Sequence, residues 1–276
     1  MILIIPFYSS SIISVSSFFF SRFFFPIISY FLFSQISISE RDERSSTGVP
    51  SCGIVQLHLA FNTTLKSLSH HTLFLSKSYK NSWNSVDNPD TAIFNPEEFN
   101  FYVHTPSRTD STVCPINHDA ITVLVPVPPL PAIRKGKGEG KLLDINIVRN
   151  AVLDKLQKME NASKKQLNND NNIININNHI VGEKIRVPEN WQEEFSLYRG
   201  SAFGLAHSID QLNLLRPRLR HPRIENLYRV GASTRPGNGV PLVMIGARLT
   251  SEAILRDINK QKKLEDKILA RKNRNK

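Results

Sequence analysis

The stretch over residues 226–249, NLYRVGASTRPGNGVPLVMIGARL, constrains the fold more than any other part of this 276-residue chain. An apolar run leads into Gly-Ala-Ser-Thr, then into Arg-Pro-Gly-Asn-Gly, and then into a helical pattern. Leu227, Tyr228 and Val230 predict a short strand. Pro241 suits the first turn of a helix, where its missing N–H costs nothing. The stretch therefore predicts a strand, a tight turn and a helix in that order.

Small side chains occupy the turn at Gly231, Ala232 and Ser233, so a flat group could approach the backbone closely there. The free N–H groups at the start of the helix carry partial positive charge and point back at the turn. Such an end suits a group that becomes negative, as a reduced flavin does at its pyrimidine ring. An ordinary strand-turn-helix of an α/β protein has the same pattern, so spacing alone leaves both interpretations open.

The charge and the cysteines limit the partners and the compartment. The formal net charge is +11, which favours partners that carry phosphate: nucleic acid, an anionic membrane surface or a phosphorylated cofactor. Basic side chains that merely solvate a surface would give the same balance. Cys52 and Cys114 lie in no CxxC pair, and the histidines show no metal-ligand spacing along the sequence. The sequence therefore predicts no metal site and a reducing compartment.

The N-terminal segment, residues 1–39, is hydrophobic and carries a single charged residue, Arg22. It is long enough for a membrane span, which needs roughly 20 apolar residues in a helix. Three interpretations remain: a membrane anchor, a signal peptide that lacks the usual basic n-region, or an artefact of the gene model. Residues 40–53 are polar, contain Gly and Pro, and predict a linker.

From Ile54 onward, apolar and polar residues are mixed as in a globular protein. Short strands are predicted at residues 72–76, 101–104 and 121–127, the last as a buried β-branched run. A helix is predicted between residues 76 and 100, and another starts near Pro188. A further helix is indicated by apolar residues at three- and four-residue spacing: Ile145, Val148, Val152, Leu156 and Met159. The Asn-rich tract at residues 161–180 predicts a disordered insert, because it has little apolar surface to bury.

The stretch at residues 226–249 resembles the C-terminal signature of carotenoid desaturases of the bacterial and fungal phytoene desaturase type. That signature reads approximately N-x-aromatic-apolar-x-G-A-S-T-H-P-G-x-G-apolar. The matching positions are Asn226, Tyr228, Gly231, Ala232, Ser233, Thr234, Pro236, Gly237, Gly239, Val240 and Gly246. Arg229 stands where an apolar residue is usual, Arg235 where His is common, and Asn238 where Thr or Ser is common. A cation at Arg235 beside a flavin could assist its anionic reduced state.

Three further blocks resemble the same family. Residues 101–127 resemble its central PSR-x-D block followed by a buried strand, and residues 200–221 resemble the segment just upstream of the flavin motif. Residues 70–83, HHTLFLSKSYKNSW, are similar to its short H-x-(I/L)-F-L segment. The resemblance covers roughly residues 54–160 and 182–258.

The resemblance implies an α/β fold with α+β elements: the C-terminal part of a two-domain, FAD/NAD(P)-binding, Rossmann-like flavoprotein. The sequence contains no GxGxxG, so the N-terminal dinucleotide-binding unit is missing from it. Residues 54–160 would be a fragment of the substrate domain. Residues 181–258 would be the end of that domain with the C-terminal strand and helix of the FAD domain, followed by a basic tail at residues 259–276.

The implied function is FAD-dependent dehydrogenation of the forty-carbon polyene phytoene in carotenoid biosynthesis, by a truncated or incomplete form of the enzyme. The implied partners are this apolar precursor and a membrane surface, with peripheral attachment or anchoring by residues 1–39, and no nucleic acid. The alternative is a basic, non-enzymatic protein peripheral to membranes, or an inactive relic of the desaturase.

The candidate site residues follow from the same match, and they include no residue that we identify as catalytic. Those expected at the cofactor are Gly231, Ala232, Ser233, Gly239, Val240 and Leu242. Those expected at the substrate are Phe203, Leu205, His207 and Leu212, for which core packing or a structural histidine is the competing explanation. Because its ring can exchange a proton near neutral pH, His207 is also a candidate proton handler.

Overall fold

The computed structural model describes residues 2–6, 13–15, 48–87, 94–131, 143–168 and 175–274. The strands are β1 Ile2–Pro6, β2 Ile13–Val15, β3 Gly53–Phe61, β4 His71–Phe74, β5 Phe101–His104, β6 Asp119–Val127, β7 Ile180–Arg186 and β8 Leu227–Val230. The α-helices are α1 Tyr79–Asp87, α2 Ile145–Asn168, α3 Pro188–Phe195 and α4 Val240–Arg274. The mixed α/β class expected from the sequence is confirmed at this level.

The chain divides into two compact units. The sheet unit holds residues 52–194 and 199–202, and the long-helix unit holds residues 1–51, 195–198 and 203–276. Residues 181–194, which the sequence grouped with the segment that follows, lie in the sheet unit, because β7 pairs with β3.

The sheet unit is built on five antiparallel strands in the order β4-β5-β6-β3-β7. Residues along β6 alternate between buried and partly exposed positions over its whole length. The sequence predicted a buried strand at residues 121–127 from its continuous β-branched run. The observed strand is antiparallel to both neighbours. Antiparallel sheets commonly have one face packed on the core and the other in contact with solvent.

Helix α2 packs on the covered face of this sheet. Val148, Val152 and Leu156 are buried in the core together with the inward residues of β3, β5 and β6, and Ile145 and Met159 pack partly buried at its margin. The predicted helical spacing is therefore confirmed. Each fully buried aliphatic side chain of this size contributes about 1.5–3 kcal/mol.

The structure differs from the predicted disordered insert at both of its ends. Helix α2 continues to Asn168, and a 3₁₀ helix spans Ile176–His179. Ile176 is fully buried in the core, and its amide donates to Gln157 Oε1 at 2.8 Å. The polar average composition of the tract gave no sign that Ile176 would be buried in the core and hydrogen-bonded to Gln157 on α2. Residues 169–174 lie outside the described residues.

The long-helix unit contains a three-stranded sheet in the order β2-β1-β8, in which β1 is antiparallel to β2 and parallel to β8. Residues 2–6 and 13–15 are thus strands within the segment for which the sequence left an anchor, a signal peptide or an artefact open. The rest of residues 1–39 lies outside the described residues. In the described part of the chain, none of the helices combines the length and the hydropathy that a membrane crossing requires.

Helix α4 runs for 35 residues and includes the predicted basic tail up to Arg274. Its buried residues, Gly246 and Thr250, form a face of small side chains, whereas the neighbouring Ala247 is exposed. The Thr250 hydroxyl donates to the carbonyls of Arg229 at 3.2 Å and Gly246 at 2.9 Å. This small face therefore holds α4 against β8.

Candidate functional site

The predicted strand, turn and helix are present, with a tight turn over residues 231–239 between β8 and α4. Gly231, Gly237 and Gly239 have φ angles of 126°, 139° and 103°, which L side chains rarely adopt. The amide and the hydroxyl of Thr234 donate to the Gly231 carbonyl at 3.1 and 2.8 Å. The glycines therefore make this turn possible, and Thr234 closes it.

A buried arginine is hydrogen-bonded to the main chain of the turn. Arg216 is 1% exposed, and its guanidinium donates to the Ala232 carbonyl at 2.6 Å and to the Leu205 carbonyl at 3.3 Å. The Leu205 amide in turn donates to Ser233 Oγ at 3.2 Å. Because buried polar groups are costly unless they are hydrogen-bonded, these contacts fix the segment around Leu205 against the turn.

The segment that contains Leu205 also approaches the turn closely, at Gly204. This residue has a φ of 70°, and a Cβ added to it would lie 2.1 Å from Ser233 Oγ. A side chain at position 204 would displace the hydroxyl that the Leu205 amide uses. The small residues on both sides of this contact thus allow the two segments to approach each other.

The expected cofactor residues fall into two groups, and the first group faces the protein. Ala232 is fully buried and Ser233 is 4% exposed, while Gly231 is half-buried. Their polar atoms are engaged within the chain by Arg216, Leu205 and Thr234, as described above. These three residues form the floor of the turn.

The second group, Gly239, Val240 and Leu242, is exposed at the start of α4. A Cβ added to Gly239 would meet nothing within 4 Å, so open space adjoins its backbone. The first N–H groups of a helix have no intrahelical acceptor and carry partial positive charge. The Gly239 amide donates to Asn238 Oδ1 at 2.6 Å and Pro241 has no N–H, so the amides of Val240 and Leu242 are the ones that can offer this charge to a group bound outside the turn.

Arg235 turns towards the main chain of its own unit. Its guanidinium donates to the carbonyl of Arg216 at 3.0 Å and to that of Leu214, and its amide donates to the Pro217 carbonyl at 3.2 Å. The hypothesis that this cation assists a reduced flavin has no support in this geometry. The contacts instead fasten the turn to residues 214–217.

The expected substrate residues lie along one largely exposed apolar segment. Phe203 and Leu212 are each 39% exposed, Leu205 is half-buried and His207 is exposed. Although the residue is exposed, partial desolvation of the ring and then the positive charge of Arg216 lower the pKa of His207 below 6.5, so its ring is neutral at neutral pH. Further apolar side chains exposed in this segment are Ile209, Leu214 and Leu215.

The PSR-x-D block has a structural role in the sheet unit. Ser107 Oγ donates to Asp119 Oδ1 at 2.7 Å, and Arg108 donates to both carboxylate oxygens at 2.7 and 2.9 Å. Asp110 accepts from the amide of Thr112 at 2.8 Å, within its own loop. Sequence reasoning missed Asp119, for which the only signal was an acidic residue at the start of a β-branched run.

Sequence reasoning also missed a cluster of histidines in the sheet unit. His70, His71 and His104 lie side by side across β4 and β5, although no metal-ligand spacing was visible along the chain. The sequence predicted no metal site because no metal-ligand spacing is visible along the chain, but antiparallel pairing brings His104 next to His70 and His71, which are distant from it in sequence.

Known proteins match this chain over most of its length. The phytoene desaturase of Neurospora crassa is 33% identical over 211 residues, which is 75% of this chain and 32% of that protein. The zeta-carotene-forming phytoene desaturase of Myxococcus xanthus is 32% identical, covering 72% of this chain and 35% of its own length. The chain is related to the carotenoid desaturases. The resemblance drawn from its motifs is confirmed.

The matching proteins are not all named as phytoene desaturases. The 4,4'-diapophytoene desaturase of a Methylomonas species is 30% identical over 74% of this chain and 36% of its own length. The chain spans about a third of the length of the curated desaturases it matches. No protein-family model matches it. A solved oxidoreductase from Methanosarcina mazei aligns with a TM-score of 0.35 and 13% identity over 78% of this chain and 39% of its own, a likeness too low to bear on the fold.

Proposed function

We propose that this chain serves the flavin-dependent desaturation of an apolar forty-carbon polyene of the phytoene type. The observation that carries the proposal is the match to proteins named as phytoene desaturases, at 31–33% identity over about three quarters of the chain. In this proposal the sheet unit belongs to the substrate domain of a two-domain flavoprotein. Strand β8, the turn and α4 belong to its FAD domain.

The exposed start of α4 is the proposed site of the flavin ring. Gly239, Val240 and Leu242 would lie against its pyrimidine end, where the helix N-terminus favours negative charge. Gly231, Ala232 and Ser233 would hold the turn in place beneath the ring. FAD, when bound, accepts a hydride from the polyene while a proton leaves the neighbouring carbon, and a new double bond forms.

The apolar segment at residues 203–215 is the proposed contact with the polyene. Phe203, Leu205 and Leu212 offer hydrocarbon surface without charge, as a hydrocarbon substrate requires. His207 would take up the released proton, since its lowered pKa keeps the ring neutral at neutral pH.

Peripheral membrane attachment is part of the proposal, because the chain carries a net charge of +11 and each Lys or Arg near an anionic bilayer adds about 1 kcal/mol to membrane binding.

The decisive experiment replaces the matching region of the Neurospora crassa phytoene desaturase with residues 48–258 of this chain. The chimera is produced in a bacterial host that accumulates phytoene, and extracted carotenoids are separated by chromatography with absorption detection. We expect coloured products with longer conjugation than phytoene. A folded chimera that retains FAD and leaves phytoene unchanged would contradict the proposal.

A further inference from the structure

The histidine cluster of the sheet unit lies where β4 begins and β5 ends. His71 and His104 are direct cross-strand partners in the β4–β5 pairing, and His70 precedes His71. One ring nitrogen from each of the three residues lies within 4.8 Å of the others. His71 is exposed and the other two are half-buried, so the cluster opens to solvent.

Two of these rings approach each other through their nitrogen atoms. His70 Nε2 lies 3.0 Å from His104 Nε2, so the two rings share one proton between them or hold a cation. A tetrahedral metal ion with nitrogen ligands at about 2.05 Å places those nitrogens about 3.3 Å apart. The His70–His104 pair is therefore close to the spacing that one bound ion requires, and a ring nitrogen of His71 lies within 4.8 Å of both.

In His70 and His71, the other ring nitrogen, Nδ1, lies within hydrogen-bond distance of a hydroxyl group. Thr109 Oγ1 lies 2.7 Å from His70 Nδ1, and Tyr102 Oη lies 2.6 Å from His71 Nδ1. When Nδ1–H donates to a hydroxyl oxygen, the lone pair is left on Nε2, and the Nε2 of His70 faces His104. Metal-binding histidines almost always have such a partner, which fixes the tautomer and the ring orientation.

The backbone around the cluster is itself fastened. The Thr105 amide donates to the His70 carbonyl at 2.8 Å. Arg108 donates to the Leu68 carbonyl at 2.9 Å, two residues before the first histidine. These bonds hold the loop before β4 and the end of β5 together without any ion, and sites carried on such fixed elements position their ligands well.

We propose that His70, His71 and His104 bind one divalent transition-metal ion, with Zn²⁺ as the preferred ion. Imidazole is a favoured ligand of Zn²⁺ and of its neighbours Cu²⁺ and Ni²⁺, whereas Mg²⁺ and Ca²⁺ select oxygen ligands. The cluster consists of three histidines and no carboxylate in the described part of the chain, so the fourth position is open to water or to a small anion. The bound ion clips β4, at the edge of the sheet, to β5.

The test is a titration of the full chain after removal of metals with a chelator. Calorimetry with Zn²⁺ is expected to give one site per chain, and Zn²⁺ is expected to raise the midpoint of thermal unfolding because the assembled site of the folded state binds it more tightly than the unfolded chain does. Mg²⁺ should do neither. His104→Ala is expected to weaken Zn²⁺ binding at least tenfold. His118→Ala, which alters a half-buried loop histidine outside the cluster, serves as the matched control and should leave binding unchanged.

A second variant keeps the test decisive if His104→Ala fails to fold. Tyr102→Phe retains the ring on β5 and removes only the hydroxyl at His71, and loss of such a partner weakens metal binding by about 10–100-fold. The visible spectrum of bound Co²⁺ reports the coordination directly and should change in this variant. Equal Zn²⁺ affinity of the wild-type chain and both variants would overturn the proposal, as would wild-type binding weaker than about 1 mM.

Discussion

Arg108 and Asp119 form a two-point ion pair, with N–O distances of 2.7 and 2.9 Å, around a carboxylate that is fully buried. The same guanidinium donates to the carbonyls of Leu65 at 2.7 Å and Leu68 at 2.9 Å. One arginine of the PSR-x-D block thereby joins the first residue of β6 to the turn that precedes β4. The block, first noticed as a family motif, is a structural clamp.

Asp119→Asn is expected to lower the free energy of unfolding by about 3 kcal/mol, because it leaves the arginine without its buried counter-charge. Urea unfolding followed by circular dichroism measures the effect. The matched control is Glu183→Gln, which breaks an equally direct but half-exposed pair with Arg149. That change should cost less than about 1 kcal/mol, and equal losses in the two variants would refute the role of burial.

Stability should also fall with acid in a manner that depends on Asp119. Burial alone would raise its pKa, but hydrogen bonds from Arg108, Ser107 and the Leu65 amide outweigh burial and lower the pKa below the ordinary 3.8. A lowered pKa in the folded state stabilises the protein above the unfolded value, and this stability is lost as the pH falls through the folded pKa. Urea unfolding from neutral pH to pH about 3 should therefore show a steeper loss below pH about 4 for the wild-type chain than for Asp119→Asn. Parallel curves would contradict this assignment.

Ile176→Ala should destabilise the sheet unit although it lies in an Asn-rich tract. The side chain is fully buried in the core, and truncation of such a residue costs about 2–5 kcal/mol. Thermal or urea unfolding detects the loss. Ile116→Ala, at a residue that is 89% exposed, is the matched control and should change stability little. If both variants behave alike, the packing of Ile176 against α2 is disproved.

Tyr228 on β8 and Asp257 on α4 are joined by a hydrogen bond of 2.5 Å, and Arg220 pairs with the same carboxylate. Burial, followed by the bond to Asp257, raises the pKa of Tyr228 to about 12. A raised pKa in the folded state gives stability that is present below the unfolded value of 10.0 and is lost as the pH rises towards 12.

Tyr228→Phe is therefore expected to cost about 1 kcal/mol near neutral pH and to remove the part of the alkaline loss that arises from this residue. Unfolding measured at several alkaline pH values tests both effects. Tyr198→Phe, at a tyrosine that is 63% exposed, is the control. An unchanged difference between wild type and Tyr228→Phe across this pH range would disprove the raised pKa.

Gly239→Ala should weaken flavin binding in the chimera with the Neurospora crassa enzyme. Space for a Cβ exists at this position, but its φ of 103° imposes a backbone cost of about 1–3 kcal/mol on any other residue. We expect the start of α4 to shift and the affinity, measured by quenching of flavin fluorescence, to drop. Gly182→Ala adds the same methyl group at a position with ordinary contact distances, 3.5 Å to Ala60 Cβ, and is the control. Undiminished affinity in Gly239→Ala would place the flavin elsewhere.

Local features were predicted well because they depend on residues close together in sequence. The spacing from Ile145 to Met159 gave α2, and the glycines and prolines at residues 231–241 gave the turn before α4. The ordered motifs also gave the relationship to carotenoid desaturases. In each case the sequence itself carries the periodicity, the turn chemistry or the motif.

Only the tertiary structure decided which of these residues meet. Asp119 lies 11 residues from Arg108, and His104 lies 34 residues from His70. Their contacts depend on which strands become neighbours. The alternation along a strand assigns each residue to one face of the sheet, but it does not say which strand will be the partner. Hydrogen bonds from Arg216 to Ala232 and from Leu205 to Ser233 likewise hold residues 232 and 233 towards the interior, while open space adjoins Gly239. The sequence by itself determined the order of the elements and the family, and the fold determined the clamp, the histidine cluster and the exposed start of α4.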